Sequence, residues 1–213
     1  MPHMNITWYG HSCFKLEAKS RNEDVVIYID PFNLPVPSLK LPRTISADVV
    51  LLTRKQETPA LQGRGESGPA VFSDPGEYEI KDIFIRAIPL TVGDQPHIFW
   101  IEAEDMAFVH LGPLSRVLDE AELQEIYKLD ALFVPVGGQD VLGAKDAGQL
   151  VAELEPRIVI PMCYRSPEVK DRYDTVDQFL KVMDAPQERT AKFKLTRKDL
   201  PHDEMKVVVL ERS

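Results

Sequence analysis

Four side chains able to do chemistry sit where short apolar runs end in this 213-residue sequence: His11, Asp30, His110 and Cys163. Imidazoles exchange protons near neutral pH and bind metals. A carboxylate can act as ligand or base. A thiol becomes a nucleophile when a neighbouring imidazole lowers its pKa. Each residue also has a plainer reading. The histidines can be hydrogen-bonded supports beside a site, Asp30 the cap of the Asp30-Pro31-Phe32 turn, and Cys163 a small inert residue at a strand end. A second group, Arg54, Lys55 and Gln56, follows the run Val49-Val50-Leu51-Leu52-Thr53 and brings two cations and an amide. With Arg165, the cations could bind an anion. Cys13 lies in a strand pattern and reads as core, whereas His97 and His202 fall in turn-like or terminal segments and read as surface. Gly137-Gly138 is followed by no Lys-Ser/Thr, so it is not a phosphate loop and instead permits a tight turn.

These residues need strands to hold them. Ile6 to Tyr9, Cys13 to Glu17 and Val25 to Asp30 alternate or run apolar as strands do, with a polar turn over Ser20 to Asp24. Pro31, Pro35, Pro37 and Pro42 hold an extended loop before the strand at Val49 to Leu52. Gln62 to Pro69, with three glycines and a proline, reads as a loop. An antiparallel series follows: Ala70 to Ser73, Tyr78 to Lys81, Ile83 to Ile88, His97 to Ile101 and Met106 to His110. The period then changes. Asp119 with Glu122 predicts a capping box opening a helix through Leu123, Ile126, Tyr127 and Leu129. Ala131 to Val136 and Arg157 to Pro161 read as buried strands, Ala144 to Leu154 and Asp174 to Met183 as helices, Phe193 to Thr196 and Lys206 to Leu210 as closing strands. Strand runs with helix–strand units after them predict two sheets packed together with helices outside, in one domain over residues 1–213.

Composition narrows the function. A net charge of −9 and a pI near 5.1 disfavour nucleic-acid binding. The apolar runs are too short to span a membrane, and no signal-peptide pattern opens the chain. Two cysteines far apart, in no CxxC pattern, suggest neither a disulfide framework nor a zinc knuckle. The expected setting is cytoplasmic.

Several strand-end motifs occur in order: Thr7-Trp8-Tyr9-Gly10-His11-Ser12, Ile29-Asp30-Pro31-Phe32, Ala47-Asp48-Val49-Val50-Leu51-Leu52-Thr53, Asp74-Pro75-Gly76-Glu77-Tyr78-Glu79-Ile80, His110-Leu111-Gly112, Val134-Pro135-Val136-Gly137-Gly138 and Pro156-Arg157-Ile158-Val159-Ile160-Pro161-Met162. In this order, from Asn5 to about Leu210, they resemble the metallo-β-lactamase-fold hydrolases. Within these the chain looks like the small prokaryotic zinc-dependent hydrolases related to ascorbate-phosphate lactonases. The resemblance implies an α+β fold, an αββα sandwich of two mainly antiparallel or mixed sheets with helices on the outer faces. It also implies zinc, held after the strand matching Val49 to Leu52 by His-x-His-x-Asp-His. Zinc takes imidazole and carboxylate ligands and turns a bound water into hydroxide near neutral pH.

Matched to that strand, the four ligand positions hold Arg54, Gln56, Thr58 and Pro59. The family's later His, bridging Asp and last His fall near Val92, on Pro113 and on Cys163. Only the thiol has real metal affinity, and one thiolate does not hold zinc alone. The expectation is therefore a metallo-β-lactamase-fold protein with no metal and no cofactor. It would be catalytically inactive and act by binding or assembly on a small molecule or protein partner. The alternative is a hydrolase of a small ester, lactone or phosphoester using His11, His110, Cys163 and Asp30. Apolar residues over Val36 to Leu41 suggest a homo-oligomer interface as a third possibility.

Overall fold

The computed structural model describes residues 2–19, 23–32, 41–91, 97–167, 169 and 173–213. The interface proposed over Val36 to Leu41 lies outside them except for Leu41, and the Val92 position lies outside them entirely.

Two mixed sheets face one another. The first joins β1 (Met4–Gly10), β2 (Cys13–Lys19), β3 (Asp24–Ile29), β5 (Val49–Leu51), β7 (Ala70–Phe72) and β15 (Phe193–Leu195), in the order β15-β1-β2-β3-β5-β7. Its first pairings are antiparallel, and β3-β5-β7 run parallel. The second joins β8 (Gly76–Ile80), β9 (Ile83–Pro89), β10 (His97–Ala103), β11 (Met106–His110), β12 (Ala131–Pro135), β13 (Ile158–Met162), β14 (Gln187–Thr190) and β16 (Lys206–Leu210), in the order β14-β16-β13-β12-β11-β10-β9-β8. It is antiparallel from β8 to β11 and parallel from β11 onward.

The period-2 pattern explains why the sheets meet. Met4, Ile6 and Trp8 of β1, Val25, Ile27 and Ile29 of β3, and Val49 and Leu51 of β5 enter one apolar cluster shared with β9 to β13 and β16. Val26, Tyr28, Val50 and Leu52 point the other way into a second cluster with Cys13, Phe32, Ile45 and Ala47. The run at Val49 to Leu52 is thus continuously apolar because both of its faces are covered. The cover on that outer face is a parallel pair, β4 (Thr44–Ala47) and β6 (Ala60–Gly63), with Leu41 and Leu61. Over the second sheet, α2 (Ala144–Leu154) packs on β12 and on α3 (Val176–Met183).

Three readings from the sequence need correction. Residues 60–63, read in part as loop, form β6. His97 is not a surface residue, because it opens β10 fully buried. The predicted helix to Leu129 stops early, as α1 (Glu120–Gln124). Its capping box forms as expected, Asp119 accepting from the Glu122 N–H at 2.9 Å and Glu122 from the Asp119 N–H at 2.9 Å. Tertiary partners then take the backbone that a longer helix would use. Arg86 donates to the Glu125 carbonyl, and Trp100 Nε1 donates to the Lys128 carbonyl at 2.8 Å.

Candidate functional site

The carboxyl ends of β3, β5, β11, β12 and β13 all deliver candidate residues, as parallel strands at a sheet end do. His11 lies in the turn between β1 and β2, Asp30 directly after β3, Thr53 and Arg54 after β5, and His110 at the end of β11. Gly137 follows β12 and Cys163 follows β13. His11, Asp30 and Cys163 have φ of 53°, 48° and 53°, in the left-handed region that costs a non-glycine residue about 1 kcal/mol. The chain holds this end of the sandwich in strained conformations that only tight local packing sustains.

Asp30 is buried, and its carboxylate is turned to Thr53, whereas its own turn is closed by the Asp30 backbone carbonyl accepting from the Phe32 N–H. The carboxylate secures the loop after β5. Thr53 donates its backbone N–H to Oδ1 at 2.8 Å, and its hydroxyl reaches Oδ1 at 2.9 Å and Oδ2 at 2.8 Å. Burial raises the Asp30 pKa to about 6, against the opposing pull of Thr53, Ser12 and the Arg54 charge. Thr53 itself was missed as a functional residue, and its sequence signal was only that it ended a motif.

His110 is equally fixed. Its Nδ1 accepts from the Gly112 N–H at 3.1 Å, so Nε2 carries the proton donated to the Ser12 carbonyl at 3.0 Å. Phe14 and Phe133 enclose the ring at 5.6 and 5.5 Å. Burial pushes its pKa down to about 3, so it is neutral at physiological pH. His97 donates Nε2–H to the Leu52 carbonyl at 2.8 Å, and burial lowers its pKa too. Two neutral histidines of the second sheet therefore tie down backbone of the first, on either side of the candidate site.

His11 bridges in another direction. Nε2 lies 2.9 Å from the Tyr173 hydroxyl and Nδ1 3.1 Å from Ser12 Oγ. Its carbonyl accepts from Trp8 Nε1 at 3.0 Å and from the Cys163 N–H at 3.3 Å. Ser12 is thus next to a histidine and close to a carboxylate, but the carboxylate faces the hydroxyl rather than the imidazole. A serine triad needs the acid behind the histidine, so this order does not make one. Cys163 is 1% exposed. A Cβ on Gly137 would come within 2.0 Å of the Cys163 carbonyl, which is why glycine must stand there, two residues past β12. Cys13 is buried, and desolvation with the nearby Asp30 raises its pKa further, so it carries no thiolate chemistry.

The loop after β5 presents Arg54, whose guanidinium lies over the Phe32 ring at 5.6 Å with Nε buried. Lys55 is exposed and reaches Asp74 at 3.3 Å. Gln56 and Thr58 are half-buried and Pro59 is buried, as is Pro113. These side chains offer zinc little: Arg54 carries a permanent cation, Gln56 and Thr58 are poor donors, and Pro59 has no donor side chain. Among the described residues, no three His, Cys, Asp or Glu side chains gather closely enough to hold a metal.

Residues 5–163 match the family model of the beta-lactamase superfamily domain. The chain belongs to the metallo-β-lactamase superfamily. A structure from Thermotoga maritima, described as a Zn-dependent hydrolase of this superfamily, is 32% identical and covers 98% of this chain and 100% of its own, with a TM-score of 0.81. A metal-dependent hydrolase of Methanopyrus kandleri is 25% identical over 197 residues, 76% of this chain and 84% of the relative. Igni18, a metallo hydrolase from Ignicoccus hospitalis, shares the fold at 21% identity, 98% and 95% coverage and a TM-score of 0.64. The α+β sandwich read from the strand-end motifs is therefore the superfamily's fold. Among the described residues, no helix is long and apolar enough to cross a membrane.

Proposed function

We propose that this metallo-β-lactamase-superfamily protein does not carry out zinc-dependent hydrolysis and acts in the cytoplasm by binding a small molecule or protein. The observation that carries this reading is Arg54. Its cation sits at the head of the loop where the resemblance places the first zinc-ligand histidine, and its charge acts on the buried Asp30. Gln56, Thr58 and Pro59 complete the same loop without a strong zinc donor. Arg54, Lys55 and Gln56 then form an anion-binding edge in place of a metal centre.

The rival reading is hydrolysis of a small ester, lactone or phosphoester around His11, His110, Cys163 and Asp30. The left-handed backbone at His11, Asp30 and Cys163 speaks for it, because such strain gathers at active sites. Against it, both His110 nitrogens are engaged by backbone groups, and Cys163 is buried.

Elemental analysis of protein purified without chelator tests the first reading. The expected zinc content is far below one ion per chain, and stoichiometric zinc overturns the proposal. Turnover on an ester and phosphoester panel that His110→Ala abolishes would favour the rival.

A further inference from the structure

A cleft not lined by the Arg54 loop combines an apolar wall with clustered cations. It has a volume of about 320 Å³, at the small end of the range for small-molecule sites. Trp8, Tyr164, Val209 and Leu210 line it, whereas Arg54, Asp30, His110 and Cys163 do not. The two aromatic rings are 4.8 Å apart. The Tyr164 hydroxyl donates to the Leu210 carbonyl at 2.9 Å, fixing that ring to the end of β16. The wall is thus preformed, and its polar handle is turned inward.

The rim is cationic. Arg165, Arg189 and Arg212 line the same cleft, with Glu211 as the opposing charge, in a chain whose net charge is −9. Arg165 is held through Nε on the Tyr173 carbonyl at 2.7 Å, and Arg212 through Nε on the Tyr9 carbonyl at 3.2 Å. A guanidinium anchored in this way has lost most of its rotamer freedom before a ligand arrives. Arg189 pairs with Asp177 at 2.8 Å, both half-exposed or more, a contact that water screens and an incoming anion can replace.

We propose that this cleft binds a small organic anion with a flat apolar body, a carboxylate or phosphate monoester on an aromatic ring. The ring lies against Trp8 and Tyr164, and the anionic group meets Arg165 and Arg189. Glu211 disfavours ligands carrying further negative charge beyond that group. Arg54, Lys55 and Gln56 do not line this cleft.

The test is titration of the full chain with phenyl phosphate and with benzoate, read by calorimetry and tryptophan fluorescence, with inorganic phosphate alongside. Saturable binding of an aromatic anion is expected, at least ~10-fold tighter than inorganic phosphate. Arg165→Gln and Arg189→Gln, both exposed positions, should each weaken it by ~10-fold. Circular dichroism of each variant verifies the fold. Lys145→Gln, at an exposed cation of α2 that does not line the cleft, should leave binding unchanged. The proposal is overturned if neither aromatic anion saturates, if inorganic phosphate binds as tightly, or if the cleft variants weaken binding no more than Lys145→Gln does. Zinc content does not enter these outcomes, so the cleft and the strand-end reading fail separately.

Discussion

Glu122 and Asp30 are carboxylates only 3% and 1% exposed, yet folding moves their pKa values in opposite directions. Glu122 sits at the start of α1. Arg116 grips it with both terminal nitrogens, at 2.8 and 2.6 Å, and the backbone N–H groups of Asp119 and Thr91 add two donors. That Arg116 pairing, outweighing burial, takes its pKa down to about 2. Asp30 receives its donors from neutral Thr53 and Ser12, and the Arg54 charge acts on it as well. Burial wins there, and the pKa rises to about 6. A buried carboxylate is stable when a guanidinium binds it directly and is poised to take a proton when its partners are neutral. The α1 cluster is a finished structural device. The strand-end site holds a carboxylate whose titration is moved up to about 6.

The largest effect should come from removing the guanidinium that finishes the first device. Arg116→Ala leaves Glu122 buried on neutral donors, the N–H groups of Asp119 and Thr91 and the Thr91 hydroxyl, and should cost about 3–4 kcal/mol at pH 7. Its folded-state pKa is depressed, so the stability that the pair contributes is present above the unfolded value near 4.5 and is lost as pH falls toward 2. The penalty of the variant should therefore shrink at low pH. Urea denaturation at pH 7 and at the lowest pH where the wild type still folds checks this, and an equal penalty at both would break the electrostatic half of the comparison.

Asp30 should show the opposite slope. Its folded pKa lies above the unfolded value of 3.8, so its favourable contribution is complete below about 4 and lost as pH rises through about 6. The difference corresponds to on the order of 3 kcal/mol. Wild type measured against Asp30→Asn should lose about that much stability between pH 4 and pH 7. A difference that stays flat across this window would mean that Asp30 ionises as an ordinary surface carboxylate and that the two regions do not differ as described.

The strands were legible in the sequence wherever burial wrote itself as an apolar run. Met106 to His110 and Lys206 to Leu210 were placed to the residue. β14 was missed because Gln187-Glu188-Arg189-Thr190 has no apolar residue, and its place comes from parallel pairing with β16 alone. His97 was misread because its neighbours in the chain look like a turn, while its burial comes from Leu52 and Phe99. The site shows the same limit. Strand ends and motif order located Asp30, His11, His110 and Cys163. Nothing local linked Asp30 to Thr53, 23 residues away, or His11 to Tyr173, 162 residues away. Those contacts depend on sheet pairing and loop closure, which leave no periodic trace.

The subtlest expected change separates the two roles that Thr53 combines. Thr53→Val keeps the size of the side chain and the backbone N–H bond to Asp30, but removes the hydroxyl that reaches both carboxylate oxygens. It should cost about 1–2 kcal/mol at pH 7, the usual penalty for stripping one donor from a buried charged acceptor. Donors to a carboxylate favour its ionised form, so losing one must raise the Asp30 pKa further and shift its stability loss to higher pH. Thr53→Ser keeps the hydroxyl and should stay close to wild type in that titration. NMR titration of the Asp30 carboxyl reads the midpoint directly. If it does not move in Thr53→Val, then burial alone sets the Asp30 pKa and the neutral donors do not distinguish it from Glu122.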